Sequence, residues 1–373
     1  MNRINIFYPL LLAIALLAST SVLSAELDTL QQEQSQGLNQ EVSKKKKFDA
    51  GKFLFGHIGD SHEWHIATID ETHITVPLPI ILYSRTKNKL FSFWSAKFNH
   101  GHSTYKGFKL VTEGDLEGKI VEVNDKGQTL DLPLPLDFSI TKNVVGIFFS
   151  IVVLLLVLLP VARKYKSNPH KAPTKMQSLM ESLILFIRDD IAKPSIGEKH
   201  YLKVTPFLLT LFFFIFFNNL LGLIPIFPAG ANVTGNIAVT MGLALITLFT
   251  IFFYANKNFW KGIVNPPEIP IFLKLPIPIM PVIEAVGWII KPAVLMVRLF
   301  ANILAGHMIV LVFFALIFIF GAVNTYYGYG ISVVSVLLTV FMTFVELLVA
   351  FIQAYIFTML SAIFLGMATE EHN

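Results

Sequence analysis

The chain has 373 residues, of which 54% are hydrophobic and 14% charged, against about 25% charged in an ordinary soluble domain. This excludes a water-solvated globule and makes a membrane chain the reading. The net charge of +4 is not gathered into one basic stripe but sits beside the apolar runs, so topology explains it and nucleic acid is excluded as a partner. There is no cysteine, which excludes a disulfide framework, a thiolate metal site and thiol redox chemistry.

In chain order, Arg3, an apolar stretch from Ile4 to Leu23 and small residues ending at Ala25 read as an export signal over residues 1–25. Kept as an anchor, it would still place the residues after it outside the cytoplasm. Residues 26–47 are polar, end in the run Lys44 to Lys47, and read as a linker. Residues 48–140 alternate short β-type runs, such as His73 to Val76, Phe91 to Trp94 and Ile120 to Val123, with turns such as Asn124-Asp125-Lys126-Gly127. That pattern predicts a small β-rich exported domain. Its histidines, His57, His62, His65, His73, His100 and His102, are spaced too loosely for a metal site and read as solvated.

Residues 141–373 form the membrane part. Apolar segments at 144–162, 204–227 and 237–254 are each long enough to cross about 30 Å of hydrocarbon. Arg163, Lys164, Lys166, Lys171 and Lys175 follow the first, and Lys257 and Lys261 the third, so those ends are expected in the cytoplasm and the loop Pro228 to Asn236 outside. Between the first two spans, Thr174 and Gln177 suggest a capping box. Met176, Leu179, Met180, Leu183, Ile187 and Ile191 then recur at helical spacing among charges, which predicts a helix over about 174–192 lying on the cytoplasmic membrane surface. Two longer apolar segments, 281–320 and 331–367, are joined by Asn324-Thr325-Tyr326-Tyr327-Gly328-Tyr329-Gly330. At 1.5 Å per residue each is about 55–60 Å long, so a tilted hairpin is expected. The fold class is therefore an all-α polytopic membrane protein with five spans, one interfacial helix and a small β-rich domain.

Arg298 lies within the first long segment, where an unsolvated charge costs several kcal/mol, and Asn302 stands one turn later on nearly the same face. His307 points to another face. On the last segment Glu346 and Gln353 stack two turns apart. With the turn near Tyr326 and Tyr327, His307 comes level with Glu346, and Arg298 with Gln353. A histidine and a carboxylate held away from water can exchange a proton near neutral pH, which makes a proton relay; a buried ion pair is the bland alternative. Glu284, fourteen residues before Arg298, could draw protons into an aqueous cleft, and Lys291 snorkels.

The string Arg298-Leu299-Phe300-Ala301-Asn302-Ile303-Leu304-Ala305-Gly306-His307, with Gln353-Ala354-Tyr355-Ile356-Phe357, closely resembles subunit a of F-type ATP synthases. Asn218-Asn219-Leu220-Leu221-Gly222-Leu223-Ile224-Pro225, Asn236, Glu284, Lys291-Pro292 and the ending Met367 to His372 extend the resemblance over about 140–371. It implies a multi-pass inner-membrane stator channel beside a ring of c subunits that carry membrane carboxylates. The b-subunit peripheral stalk, the other synthase subunits and membrane lipid complete its partners. The exported domain would be periplasmic and the C-terminus cytoplasmic. Arg298 matches the essential arginine; Asn219, Asn236, His307, Glu346 and Gln353 would lie on the outer proton path, Asn302 beside the arginine, and Glu284 on the exit. The acid and histidine at Glu346 and His307 are swapped relative to some members, Gly222 replaces an aspartate found in others, and the exported domain is not part of the family pattern. No cofactor or metal is implied, and ATP chemistry would belong to partner chains. A secondary transporter would show internal repeats, and a non-conducting scaffold would have no use for Arg298, His307 and Glu346.

Overall fold

The computed structural model describes residues 59–370 apart from 70–71, 113, 115, 117, 125–128, 131–132, 168–171, 225–227 and 265–278, and leaves the side chains of 65–74 and 279–280 undescribed. The expected signal and linker, His57, the Asp125-Lys126-Gly127 turn and the side chains of His65 and His73 lie outside the described set.

Among the described residues, seven short strands come first. β1 (Glu63–Ile69) pairs antiparallel with β2 (Thr72–Pro77), its register slipping between His65 and Ala67. β3 (Pro79–Ser84) lies between β4 (Lys89–Trp94) and β7 (Leu136–Asp137), and β5 (Phe108–Leu110) pairs with β6 (Ile120–Glu122). The two-residue period of a strand is visible in β3, where Ile80, Leu82 and Ser84 are buried and Ile81 and Tyr83 only half-buried. Ile80 and Leu82 meet Phe93, Phe98, Phe108 and Ile120 in one small core. The runs read as strands in the sequence fall in β2, β4 and β6.

The helices come next: α1 (Lys142–Ser167), α2 (Met176–Leu185), α3 (Tyr201–Gly222), α4 (Ile237–Tyr254), α5 (Lys257–Val264), α6 (Ile279–Val323) and α7 (Thr325–Thr369). Among the described residues five of them, α1, α3, α4, α6 and α7, are long and apolar enough to cross a membrane. Their burial is that of a chain solvated by lipid. α1 turns Phe148, Val152 and Leu156 outward and buries Asn143, Gly146 and Ser150, because hydrocarbon accepts apolar side chains and small or polar ones must find partners between helices. α3 is the central element: its Leu208, Phe212 and Ile215 share a core with Leu295 and Leu299 of α6 and with Phe357 and Leu365 of α7.

Four expectations are corrected. The second span ends at Gly222, not at 227; a proline such as Pro225 disfavours helix in the residue before it, because its ring crowds that residue's backbone. Thr174 and Gln177 form no capping box: Lys175 is the residue before α2 and no side chain caps it, while Gln177 is buried. α2 continues through π-helical Phe186–Ala192 and a last turn, Lys193–Ile196, and its stripe of Met180, Ile187 and Ile191 packs into the main core, leaving Met176 and Leu179 exposed. The turn between the two long helices is a single residue. Asn324 alone is extended, and its side chain caps α7 by accepting from the Tyr326 N–H at 2.9 Å. α6 and α7 are each 45 residues, about 67 Å at 1.5 Å per residue.

Candidate functional site

α3, the loop leading into α4, α6 and α7 enclose a cleft of about 320 Å³. It is lined by Asn218 and Asn219 from α3, Asn232 and Thr234 from the loop, Asn302, Gly306 and His307 from α6, and Glu346 from α7. α7 returns along α6 closely enough that a Cβ on Gly328 would stand 2.8 Å from the Gly321 Cα, and one on Gly306 would stand 2.6 Å from Glu346 Oε1. The Glu346 carboxylate therefore rests against the backbone next to His307. Its Oε1 is buried and has no hydrogen-bond partner among the described residues.

The wall opposite is a chain of hydrogen bonds. Thr234 donates to Asn219 Oδ1 at 2.6 Å, and Asn219 Nδ2 donates to the Ala350 carbonyl one turn along α7 from Glu346, at 3.3 Å. Asn232 Oδ1 accepts the Gly235 N–H at 3.1 Å and so folds the loop. Asn218 Nδ2 donates back to the Phe214 carbonyl at 2.7 Å. Asn218 Oδ1 and Asn232 Nδ2 are buried without a partner among the described residues, as is Glu346 Oε1. Buried groups of this kind call for a hydrogen-bonding occupant.

Of the residues singled out in the sequence, Asn219, Asn302, His307 and Glu346 are brought to this cleft. Arg298 lies one turn from Asn302 on the exposed side of α6 and makes no hydrogen bond or ion pair with any described residue. Gln353 is buried at 5% exposure two turns beyond Glu346 and does not line the cleft. Asn236 caps the start of α4, where its side chain accepts from the Ala238 N–H at 2.9 Å, and it too lies outside the cleft. Glu284 is exposed on α6 and accepts from Trp288 Nε1 at 3.1 Å. Lys291, read as snorkelling, places its ammonium 3.5 Å from the centroid of the same Trp288 ring, a cation–π contact. At fourteen residues from Arg298, Glu284 is about 21 Å along the helix and separate from the cleft.

Sequence reasoning missed Asn218, Asn232 and Thr234 as cleft residues. The signal available was a polar cluster, Asn232 to Asn236, in a short loop between apolar helices, which hydropathy alone assigns to solvent. Two histidines of the β-rich domain also differ from the expectation. His62 is buried, with Nε2 2.7 Å from Asp137 Oδ2, and His100 Nδ1 lies 2.7 Å from Glu63 Oε2. Burial raises the Asp137 carboxyl pKa, but the hydrogen bonds from His62 and Ser139 outweigh it and leave the group below its ordinary value of 3.8. Among the described residues no group of three or more acidic, histidine or cysteine side chains could hold a metal.

The class this arrangement defines is a polytopic membrane protein with a polar cleft set between a long helical hairpin and a central helix. A family model described as ATP synthase A chain matches residues 144–366, and a second, described only as a domain of unknown function, matches residues 53–138. The chain is 41% identical over 244 residues to ATP synthase subunit a of Chloroherpeton thalassium, an alignment covering 63% of this chain and 69% of that one. It is 40% identical over 280 residues to the subunit a of Chlorobium phaeobacteroides strain BS1, covering 73% and 79%, and 39% over 246 residues to that of Anaeromyxobacter dehalogenans, covering 64% and 60%. The chain belongs to the ATP synthase subunit a family, and its five membrane-length helices suit the proton-translocating role of that family in the inner membrane.

Proposed function

We propose that the chain is the proton-conducting stator of a rotary ATP synthase, forming two offset half-channels against a ring of c subunits. The observation that carries the reading is Arg298: a charge on the exposed side of a membrane-length helix, with no partner among the described residues and a polar cleft one turn away. Facing lipid alone, such a charge costs several kcal/mol, so its place is against an anionic group of another subunit. A ring carboxylate meeting Arg298 is held ionised, gives up its proton, and cannot pass that proton directly across the arginine.

Protons reach the ring from the outer side through the cleft, with Glu346 and His307 as relay and Asn219 and Asn302 as polar lining. Asn236 and Gln353 extend this outer path on either side. After riding the ring, protons leave past Glu284 on the cytoplasmic side. The exported domain is periplasmic, the C-terminus is cytoplasmic, and the b-subunit stalk holds the chain against the torque of the ring. ATP chemistry takes place on partner subunits.

The test is ATP-driven proton pumping in inverted vesicles carrying Arg298→Ala, with assembly of the complex measured in parallel. Assembled complex with pumping reduced at least a hundredfold is expected. Normal pumping by assembled complex overturns the channel reading and leaves a non-conducting scaffold.

A further inference from the structure

We infer that the exported domain is a working part of the outer proton inlet, because its Trp64 and Asp60 seat the loop that forms one wall of the cleft. The inference rests on the reading of the cleft as the outer half-channel. Nothing in the ATP synthase A chain match, which begins at residue 144, assigns a role to this domain.

Trp64, at 4% exposure in β1, forms a buried apolar cluster with Ala231 and Val233 of the loop, flanked by Val145 and Ile147 of α1 and Val239 of α4. The approach is close: a Cβ on Gly146 of α1 would stand 2.6 Å from Ala231 Cβ and 3.0 Å from Val233 Cγ2. Asp60 ties the same region by its charge. Its Oδ2 accepts from Thr141 Oγ1 at 2.9 Å and from Asn236 Nδ2 at 3.4 Å, and its Oδ1 accepts the Asn143 N–H at 3.1 Å. One carboxylate thus joins the start of α1 to the start of α4, where a negative group at the two N-termini is also favoured by the helix dipoles.

The loop serves both tasks. Val233 packs on Trp64, Ala231 packs on Trp64 and also lines the cleft, and Asn232 and Thr234 line the cleft, where Thr234 makes the 2.6 Å bond that orients Asn219 toward α7. A second cavity, of about 180 Å³, lies between α1 and this loop and shares Asn218 and Ala231 with the cleft. Asn218, with its buried and unpartnered Oδ1, stands at the junction. Release of Trp64 from Ala231 and Val233 frees the loop, and with it the wall of the inlet and the Asn218 junction. Trp64 and Asp60 are positioning residues: Trp64 touches the loop, and Asp60 holds the outer path only at Asn236.

The experiment uses the assembled complex and reads two quantities. Pumping is measured in inverted vesicles for Trp64→Ala and for the conservative Trp64→Phe. Separately, Thr234→Cys supplies a single thiol in a chain that has none, and its reaction with a membrane-impermeant maleimide from the outer side is timed with and without Trp64→Ala. Expected are a several-fold loss of pumping and a several-fold faster labelling with Trp64→Ala, both largely restored by Trp64→Phe. Assembled Trp64→Ala with normal pumping, or with reduced pumping and unchanged labelling, overturns the inference. If Trp64→Ala does not assemble, Val233→Ala removes the other side of the same contact and is read by the same two outcomes. Loss of pumping in Arg298→Ala beside normal behaviour in Trp64→Ala rejects the clamp alone; normal pumping in Arg298→Ala rejects the channel.

Discussion

Arg298 and Glu346 stand in opposite situations although both are ionisable groups on membrane-length helices. The arginine is exposed, whereas Glu346 has a carboxylate oxygen buried against Gly306; neither has a partner among the described residues. The first needs another molecule, and the second needs an occupant of the cleft. Asp137, outside the membrane, is satisfied by His62 and Ser139. Its carboxyl is held below 3.8 in the fold, so its ionised form stabilises the fold. That contribution is complete above the unfolded value of about 3.9 and is lost as pH falls through the lower folded value. Hydrogen-exchange protection of β3 and β7, corrected for the intrinsic pH dependence of exchange, is therefore expected to owe no pH dependence to Asp137 between pH 7 and 5. Below pH 4 it should drop, and Asp137→Asn should remove that acid limb.

At the scale of elements, the contacts of α7 with its neighbours separate positions that carry stability from positions that carry function. A Cβ on Gly366 would run into the Ser195 carbonyl oxygen, which is backbone and cannot turn aside, while one on Gly306 would meet only the end of the Glu346 side chain. Gly366→Ala is expected to cost about 1–3 kcal/mol of packing and lower the amount of assembled complex. Gly306→Ala should assemble normally and lose pumping by roughly tenfold or more, since shifts of about 1 Å at a reacting group have effects of that size; pumping per assembled complex separates the two. The five spans and the level pairing of His307 with Glu346 were legible because long apolar runs and residue counts from a turn survive almost any packing. The Asn324 turn was not: Tyr326 to Gly330 read as a connector on composition, yet the lone asparagine cap lets them continue the helix. Nor was α2's inward face, because a stripe of Met180, Ile187 and Ile191 serves lipid and protein equally well. The loop residues of the cleft were hidden for another reason, since the loop packs against Trp64, which lies far away in sequence.

For the molecule as a whole, the proposed sidedness of the β-rich domain is directly measurable, because the chain has no cysteine. Ser92 on β4 and Lys164 near the end of α1 are both exposed. An impermeant maleimide is expected to reach Ser92→Cys in spheroplasts and Lys164→Cys only in inverted vesicles; the reverse pattern would invert the topology and detach the exported domain from the outer inlet. The hairpin of α6 and α7 has a mechanical consequence as well. Its two 45-residue rods are joined by one residue, and a connection that short contains no slack. A neighbour turning against one rod cannot draw it lengthwise past the other, since a displacement of a single residue, about 1.5 Å, would have to be taken up by stretching or unwinding the backbone at Asn324. The hairpin yields to such a force only as one piece, and the spacing between Arg298 on one rod and Glu346 on the other is kept under load.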